Sequence, residues 1–254
     1  MKIRILGCYG GQLPGKNLTS FLIGESLLVD AGGATAVLSL DELKKIETIV
    51  VSHSHLDHVK DIPLIADNVI GRIGRPIEII GLKHTIDAVR DHLMGNVIWP
   101  DFSVIPSKEE PVIRYRREKA GKAFKVGKIE IEFVIVNHPV PCAGMMFRSG
   151  KKSFLYTADT GSTEDVWKFA KAEKNLKGLI TEVSFPNSLE QLSIISGHMS
   201  PCHIDPELAK IGRTDLPVYI YHIKPGFEAK VREEIGAIRY RRLSILEQGQ
   251  VLDI

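Results

Sequence analysis

Residues 51–61 read VSHSHLDHVKD, three histidines and two aspartates crowded into a short stretch directly behind an apolar run. Imidazole nitrogen and carboxylate oxygen are donors that suit zinc, with iron and manganese next. His53 and His55 are two residues apart, and Asp57 and His58 follow at once. So tight a loop cannot comfortably wrap four donors around one ion. It can serve two adjacent ions, with His53 and His55 on one and Asp57 and His58 on the other. Each ion then needs donors from farther along the chain, and His138 and His222 are suitable. Asp159 has two carboxylate oxygens and can bridge the pair. The competing reading is a polar loop that binds nothing.

Such donors matter only if the fold brings them together. Short apolar, β-branched runs recur: KIRIL, TSFLIG, SLLVDAG, ETIVVS, IEIIG, KIEIEFVIVNH, KSFLYTAD, GLITEVS, PVYIYH and RRLSIL. Each is bounded by turn formers and reads as a strand. ETIVVS runs into His53, IEFVIVN into His138, KSFLYTA into Asp159 and PVYIY into His222. Donors placed at C-terminal strand ends converge if those ends share one edge of the sheets, which is the argument against an idle loop. Helical patterns fall between the runs at HTIDAVRDHLMG, STEDVWKFAKAEKN, DPELAKIG and GFEAKVREEIGA. The third is expected to start with Asp205 as N-cap and Pro206 at its first position. Early strands followed by alternating strands and helices predict a layered α/β architecture.

The 254 residues are 44% hydrophobic and 25% charged, enough to bury a large core. With no linker, repeat or low-complexity segment, residues 1–254 are expected to form a single domain. A net charge of +2 is too mild to announce a nucleic-acid or membrane protein. MKIRILGCYGGQLPGKN is no signal peptide, because Arg4 interrupts an already short apolar run. No apolar stretch is long enough for a bilayer, so no membrane partner is expected. Cys8, Cys142 and Cys202, odd in number and far apart, do not form a disulfide framework and point to a reduced, cytoplasmic compartment.

HSHLDH with distal His138, Asp159 and His222 resembles the metallo-β-lactamase superfamily of binuclear metallohydrolases. The resemblance implies a four-layer αβ/βα sandwich with two metals at one sheet edge. It implies His53, His55 and His138 on the first metal, and Asp57, His58 and His222 on the second, with Asp159 between them. Asp159 stands where true β-lactamases commonly have Cys, which argues against antibiotic hydrolysis. His55 stands where di-iron oxidase relatives commonly have Glu, which favours a zinc-type hydrolase.

Two dications, two carboxylates and a bridging hydroxide leave the site at about +1, which suits an anionic substrate. Zinc lowers the pKa of bound water from about 15.7 to about 7, and Asp57 can orient that water. The ions then stabilise charge on a phosphoryl group during in-line displacement. The leaving alkoxide still needs a proton. His198, in SGHMSP, has no ligand role left and is the candidate general acid, against a capping or packed histidine before the next helix. Glu182, at the end of LITE, and His198 resemble the Glu and His of the tRNA 3′-processing branch and its phosphodiesterase relatives. That resemblance implies that Glu182 orients and charges His198.

HSHLDH, IWPDF, EVSFPN, SGHMSP and HIKPG occur in the order found in class II cyclic-nucleotide phosphodiesterases, so the chain is similar to that branch. This implies hydrolysis of 3′,5′-cyclic AMP or GMP to the 5′-nucleotide and, since relatives are often dimers, a homodimer. Asp61, where such families favour Gly or Ser, and Pro63, within an expected aliphatic run, depart from the pattern beside the pocket. The rival reading is an RNA-processing endonuclease of the tRNA 3′-processing type. Its support is RYRREKAGKAFKVGK, residues 114–128, a basic segment that can track phosphates. A solvated connection into the following strand is the preferred reading of that segment. No long Gly-rich insertion, which would suggest a tRNA-clamping arm, is present. A third reading is a catalytically idle metalloprotein that binds a nucleotide.

GGQLPGKN falls short of a phosphate loop because Asn17 replaces the required hydroxyl and a strand-like run follows it. NLT at 17–19 matches a glycosylation acceptor that a cytoplasmic chain does not use. His84, His92 and His203 read as surface or packing residues. Cys142 reads as a buried thiol, and Trp99 as a core or interface aromatic rather than a purine platform. Ser184 and Asn187, beside Glu182, and Lys224, after His222, are candidate substrate contacts.

Overall fold

A computed structural model describes residues 1–254. The apolar residues of the first strands alternate, and the alternation decides the layers. In β1 (Lys2–Gly7), β2 (Ser20–Ile23) and β3 (Leu27–Val29), Ile3, Ile5, Phe21, Ile23, Leu27 and Val29 face one core while Leu6, Leu22 and Leu28 face another. The same split continues through β4 (Thr48–Val50) and β5 (Ile77–Leu82), where Val50 and Ile80 face inward and Ile49 and Ile79 outward. β6 (Ile113–Glu118) ends this sheet.

The second sheet is built from β7 (Ala123–Val126), β8 (Ile129–Val136), β9 (Cys142–Ser149) and β10 (Lys152–Tyr156). β11 (Leu176–Glu182), β12 (Val218–Tyr221) and β13 (Leu243–Ile245) complete it, in the order β13-β12-β11-β10-β9-β8-β7. β14 (Val251–Asp253) returns to pair with β1, giving the first sheet the order β14-β1-β2-β3-β4-β5-β6.

Helices cover both outer faces. α1 (Leu40–Leu43), α2 (Leu56–Val59), α3 (Asp61–Val69) and α4 (Lys83–Ala88) place Leu43, Val59, Ile62, Ile65 and Ile86 on the first sheet's outer core. α5 (Asp165–Ala172), α7 (Pro201–Ala209) and α8 (Glu228–Gly236) bring Trp167, Leu208 and Val231 to the core built on the second sheet. α6 (Glu190–Ser196) runs on the surface just before His198. The arrangement is helix, sheet, sheet, helix, the four-layer αβ/βα sandwich expected from the sequence. No helix is long and apolar enough to cross a membrane.

Strand direction explains where the chemistry gathers. β3, β4, β5 and β6 are mutually parallel, as are β10, β11, β12 and β13. β8 pairs antiparallel with β9 and β9 with β10, so β8 runs in the same sense as β10. The C-terminal ends of β8, β10, β11 and β12 therefore share one edge.

Two local expectations change. The helix expected to start at Asp205 starts at Pro201, with Ser200 as its N-cap. Pro201 takes the favoured first position, and the Ser200 N–H donates to His203 Nδ1 at 2.9 Å, so this earlier start outcompetes Asp205. The basic segment 114–128 is more than a connection, since it contains most of β6 and all of β7, the edge strands of the two sheets. Arg116 pairs with Glu78 and Glu118, and Arg117 with Asp87. Charged side chains on an edge strand discourage pairing with other chains.

Candidate metal centre

His53 follows β4, His138 follows β8, Asp159 follows β10, Glu182 ends β11 and His222 follows β12. His55 caps the first turn of α2, and Asp57 and His58 lie within it. The structure brings His53, His55 and His138 into one group, and Asp57, His58, Asp159 and His222 into a second. Within each group the potential ligand atoms lie within 4.8 Å of one another. Asp159 Oδ2 joins the two, 3.2 Å from His58 Nε2, 3.1 Å from His222 Nε2 and 3.9 Å from His53 Nε2. His55 Nδ1 is 3.1 Å from His138 Nε2.

The hydrogen bonds behind the rings fix which nitrogen faces inward. Ser52 Oγ donates to Asp30 Oδ2 at 2.9 Å and so accepts from His53 Nδ1–H at 3.0 Å. His58 Nδ1–H donates to Asp30 Oδ2 at 2.8 Å, and His138 Nδ1–H to the Gly197 carbonyl at 3.0 Å. Ser184 Oγ donates to Glu182 Oε2 and accepts from His222 Nδ1–H, both at 2.9 Å. With Nδ1 committed in this way, the Nε2 atoms of His53, His58 and His222 face Asp159, and that of His138 faces His55. Two of those atoms, His53 Nε2 and His58 Nε2, are buried and have no hydrogen-bond partner. Buried lone pairs facing carboxylate oxygens have little to offer one another, whereas this donor set fits divalent cations with outer partners orienting each ligand.

Protonation points the same way for three of the histidines. Burial holds His53, His55 and His138 below the ordinary imidazole value, which leaves them neutral. Burial alone would raise Asp57 and Asp159, but the His222 and His58 rings beside them outweigh it and hold both below the usual carboxylate range. His58 is the exception: burial opposes its charge, but the flanking Asp159 and Asp30 overcome it and raise its value, so a divalent ion at Nε2 would have to displace a proton.

The backbone is also unusual here. Asp30, Ala158 and His222 adopt positive φ (54°, 56° and 71°) at strand ends that form the site. Non-glycine residues are uncommon in that region, and a surrounding structure must hold them there. Gly10 packs against His222 so closely that an added Cβ would lie 2.5 Å from its carbonyl oxygen. Gly197 ends α6 at φ 69° and presents the carbonyl that His138 uses.

Glu182 and His198 meet beside the second group. His198 Nδ1–H donates to Glu182 Oε1 at 2.6 Å, and Glu182 also accepts from Thr160 N at 3.1 Å. The His198 ring lies 5.1 Å from that of His222 at 23°. Burial disfavours charge on His198, but the Glu182 carboxylate and its hydrogen bond raise the imidazole above its ordinary value.

The three candidate substrate contacts have other bonding. Ser184 is fully buried between Glu182 and His222. Asn187 Oδ1 accepts from Cys202 N at 2.8 Å at the start of α7, and Lys224 Nζ donates to the Gly10 carbonyl. Asp159 also differs from the bridging picture, in which both carboxylate oxygens meet ions. Its Oδ1 accepts the Tyr221 hydroxyl at 2.6 Å, leaving Oδ2 toward the imidazoles. Asp61 is buried and accepts from Thr35 N and Oγ1, both at 2.7 Å, rather than meeting the metal-binding groups. Pro63 sits in the first turn of α3, where a missing N–H is tolerated.

Sequence reasoning missed Asp30, Ser52, Tyr156 and Tyr221. Asp30 could have been found, because SLLVDAG ends in a carboxylate just as ETIVVS ends near His53. The tyrosines resemble ordinary core aromatics, and no sequence signal separates them from such residues.

Comparison with known proteins identifies the family. Residues 26–214 match the beta-lactamase superfamily domain, and the chain belongs to that family. A probable 3′,5′-cyclic-nucleotide phosphodiesterase of Yersinia pestis is 28% identical over 83% of this chain, which spans 65% of that protein's length. The probable metallo-hydrolase YhfI of Bacillus subtilis is 27% identical over 99% of each chain. Ribonuclease Z of Treponema pallidum is 36% identical over 55% of this chain and 45% of its own. The crystal structure of unliganded yeast PDE1 superposes with a TM-score of 0.85 at 19% identity, covering 100% of this chain and 99% of that one. At that identity the superposition speaks for the fold alone.

Proposed function

We propose that this protein is a single-domain, binuclear metal-dependent phosphodiesterase that hydrolyses 3′,5′-cyclic nucleotides to 5′-nucleotides. The observation that carries the proposal is the set of Nδ1 hydrogen bonds that leaves the Nε2 atoms of His53, His58 and His222 facing Asp159, with that of His138 against His55. His53, His55 and His138 would hold one ion and Asp57, His58 and His222 the other, with Asp159 shared. Zinc is the first choice for so histidine-rich a set, ahead of iron and manganese. Bound divalent ions supply positive charge for the phosphoryl oxygens and make water acidic enough to ionise near neutral pH.

The remaining steps belong to the side chains. Asp57, held ionised, accepts a hydrogen bond from the attacking water and orients it. His198, with Nδ1–H committed to Glu182, presents Nε2–H to the 3′-oxygen. The water gives one proton to solvent and its oxygen bonds to phosphorus as the bond from phosphorus to the 3′-oxygen breaks; that oxygen takes the His198 proton, and solvent then returns a proton to His198. Ser184 positions both Glu182 and His222 rather than touching substrate.

The nuclease reading has the ribonuclease Z similarity in its favour. Against it, two arginines of the basic segment, Arg116 and Arg117, are already paired with carboxylates. We further propose a homodimer. Leu56, Val97 and Ile98 are exposed, and Leu56 and Ile98 line a cleft with Val59, Val89 and Leu93 that a second copy can cover. A Val97→Asp, Ile98→Asp variant should then sediment as a monomer. The three cysteines are unpaired, consistent with a cytoplasmic enzyme.

The decisive assay gives metal-replete protein cyclic AMP, cyclic GMP, a linear aryl phosphodiester and a precursor tRNA. Salt-insensitive turnover of a cyclic nucleotide is expected. Cleavage of tRNA alone, with affinity falling steeply in salt, establishes the nuclease instead. Tight cyclic-nucleotide binding without turnover establishes the idle binder.

A further inference from the structure

Tyr156 and Tyr221 end β10 and β12, the strands on either side of β11, and both are fully buried between the sheets. Phe21 of the opposite sheet packs edge-on against both rings, with centroids 5.3 and 5.8 Å away. Phenylalanine would fill this space as well, and a buried hydroxyl is costly unless it is hydrogen-bonded. Packing therefore does not account for the two hydroxyls.

Their bonds do. Tyr221 OH donates to Asp159 Oδ1 at 2.6 Å, and Tyr156 OH donates to Asp30 Oδ2 at 2.8 Å. The two phenol oxygens are 3.1 Å apart. Asp30 holds His58 Nδ1 at 2.8 Å, and His58 Nε2 lies 3.2 Å from Asp159 Oδ2. The contacts close a circuit from Asp159 through Tyr221, Tyr156, Asp30 and His58 back to Asp159. It crosses between the sheets, because Asp30 and His58 follow strands of the first and the other three residues belong to the second.

We infer that Tyr156 and Tyr221 act together as a positioning unit that restricts Asp159 to one cation-facing oxygen and locks it in register with His58. The inference rests on the proposal that these residues hold divalent ions. Without the Tyr221 hydroxyl, Asp159 Oδ1 is a buried acceptor with no donor, and the carboxylate is free to offer both oxygens to cations. Without Tyr156, Asp30 loses one of its donors and Tyr221 loses its neighbour.

The test is a cobalt(II) titration against a competing chelator, read by the ligand-field absorption of the bound ions, on wild type, Tyr221→Phe, Tyr156→Phe and the double variant. Wild type is expected to bind two ions. Tyr221→Phe should bind cobalt about 10- to 100-fold more weakly with an altered absorption spectrum, the range typical of lost outer partners. Tyr156→Phe should weaken binding less, and should add little once Tyr221 is gone. Circular dichroism and melting identify a variant that has lost its fold. If Tyr221→Phe does not fold, Tyr156→Phe carries the test by the same readouts. Variants that match wild type in affinity and spectrum, or single effects that multiply fully in the double variant, overturn the positioning unit alone. Wild-type protein that takes up no cobalt overturns the metal reading and this inference with it.

Discussion

Replacing Glu182 with Gln isolates the part of catalysis assigned to His198. The substitution keeps the shape of a fully buried side chain and removes the charge that faces His198 Nδ1 at 2.6 Å. A hydrogen bond to a charged group is worth about 1.5–3 kcal/mol, and each ~1.4 kcal/mol is a factor of ten in proton affinity. His198 in Glu182→Gln should therefore hold its proton roughly 10- to 100-fold less tightly. The sign follows from the raised imidazole of the wild type. A general acid works while protonated, so activity falls as pH rises through its pKa. That fall should move to lower pH in the variant. At neutral pH, kcat/KM for a cyclic nucleotide, whose leaving alkoxide needs a proton, should drop about 10- to 100-fold, within the range for acid–base catalysis. An aryl phosphodiester has a leaving group that needs no proton, and its turnover should change less than about threefold. Measuring both pH profiles with metal content matched between proteins separates the outcomes. Equal losses on the two substrates, or a fall at unchanged pH, would refute the assignment of His198 as the acid tuned by Glu182.

Other perturbations read other parts of the site. Zinc at about 100 times the Kd of each site should stabilise the metal-free protein by roughly 2.7 kcal/mol per ion, a rise of about 5–10 °C in Tm for each ion bound by scanning calorimetry, and EDTA should reverse it. Gly10→Ala pushes a methyl group against the His222 ring and carbonyl, so metal analysis should find fewer than two ions per chain. Of the three thiols, Cys202 alone is exposed, while burial drives Cys8 to about 12 and Cys142 well above its usual value. A thiol reagent at pH 8 should therefore label one cysteine per native chain and three after unfolding.

What could be read from the sequence follows physical rules that leave local traces. His53, His138, Asp159 and His222 are polar residues at the ends of apolar runs, and parallel strands set such ends side by side. β9 left no such trace: CAGMMFRS is buried along most of its length, so alternation is lost, and it has no β-branched residue. α6 was missed because Leu192, Ile194 and Ile195 are exposed and no apolar stripe marks its buried face. The outer partners were the least legible part. Ser52, Ser184, Tyr156 and the Gly197 carbonyl act through contacts across long sequence separations, and their residue types are common in any core or turn.

The same contacts explain why metal affinity and folding should be hard to separate in this protein. Asp30 and the HSHLDH loop belong to the first sheet, whereas His138, Asp159, Glu182 and His222 belong to the second. Closing the sheets on their shared apolar core forces these donors together, with ionised Asp57 and Asp159 among buried imidazoles. Taking these polar groups out of water opposes closure, and the burial of large side chains such as Phe21, Phe133 and Tyr156 favours it. A divalent cation would convert the opposing contribution into a favourable one, because outer partners already orient the donors. A substitution that loosens the contact between the sheets should therefore weaken metal binding even when it lies far from every ligand.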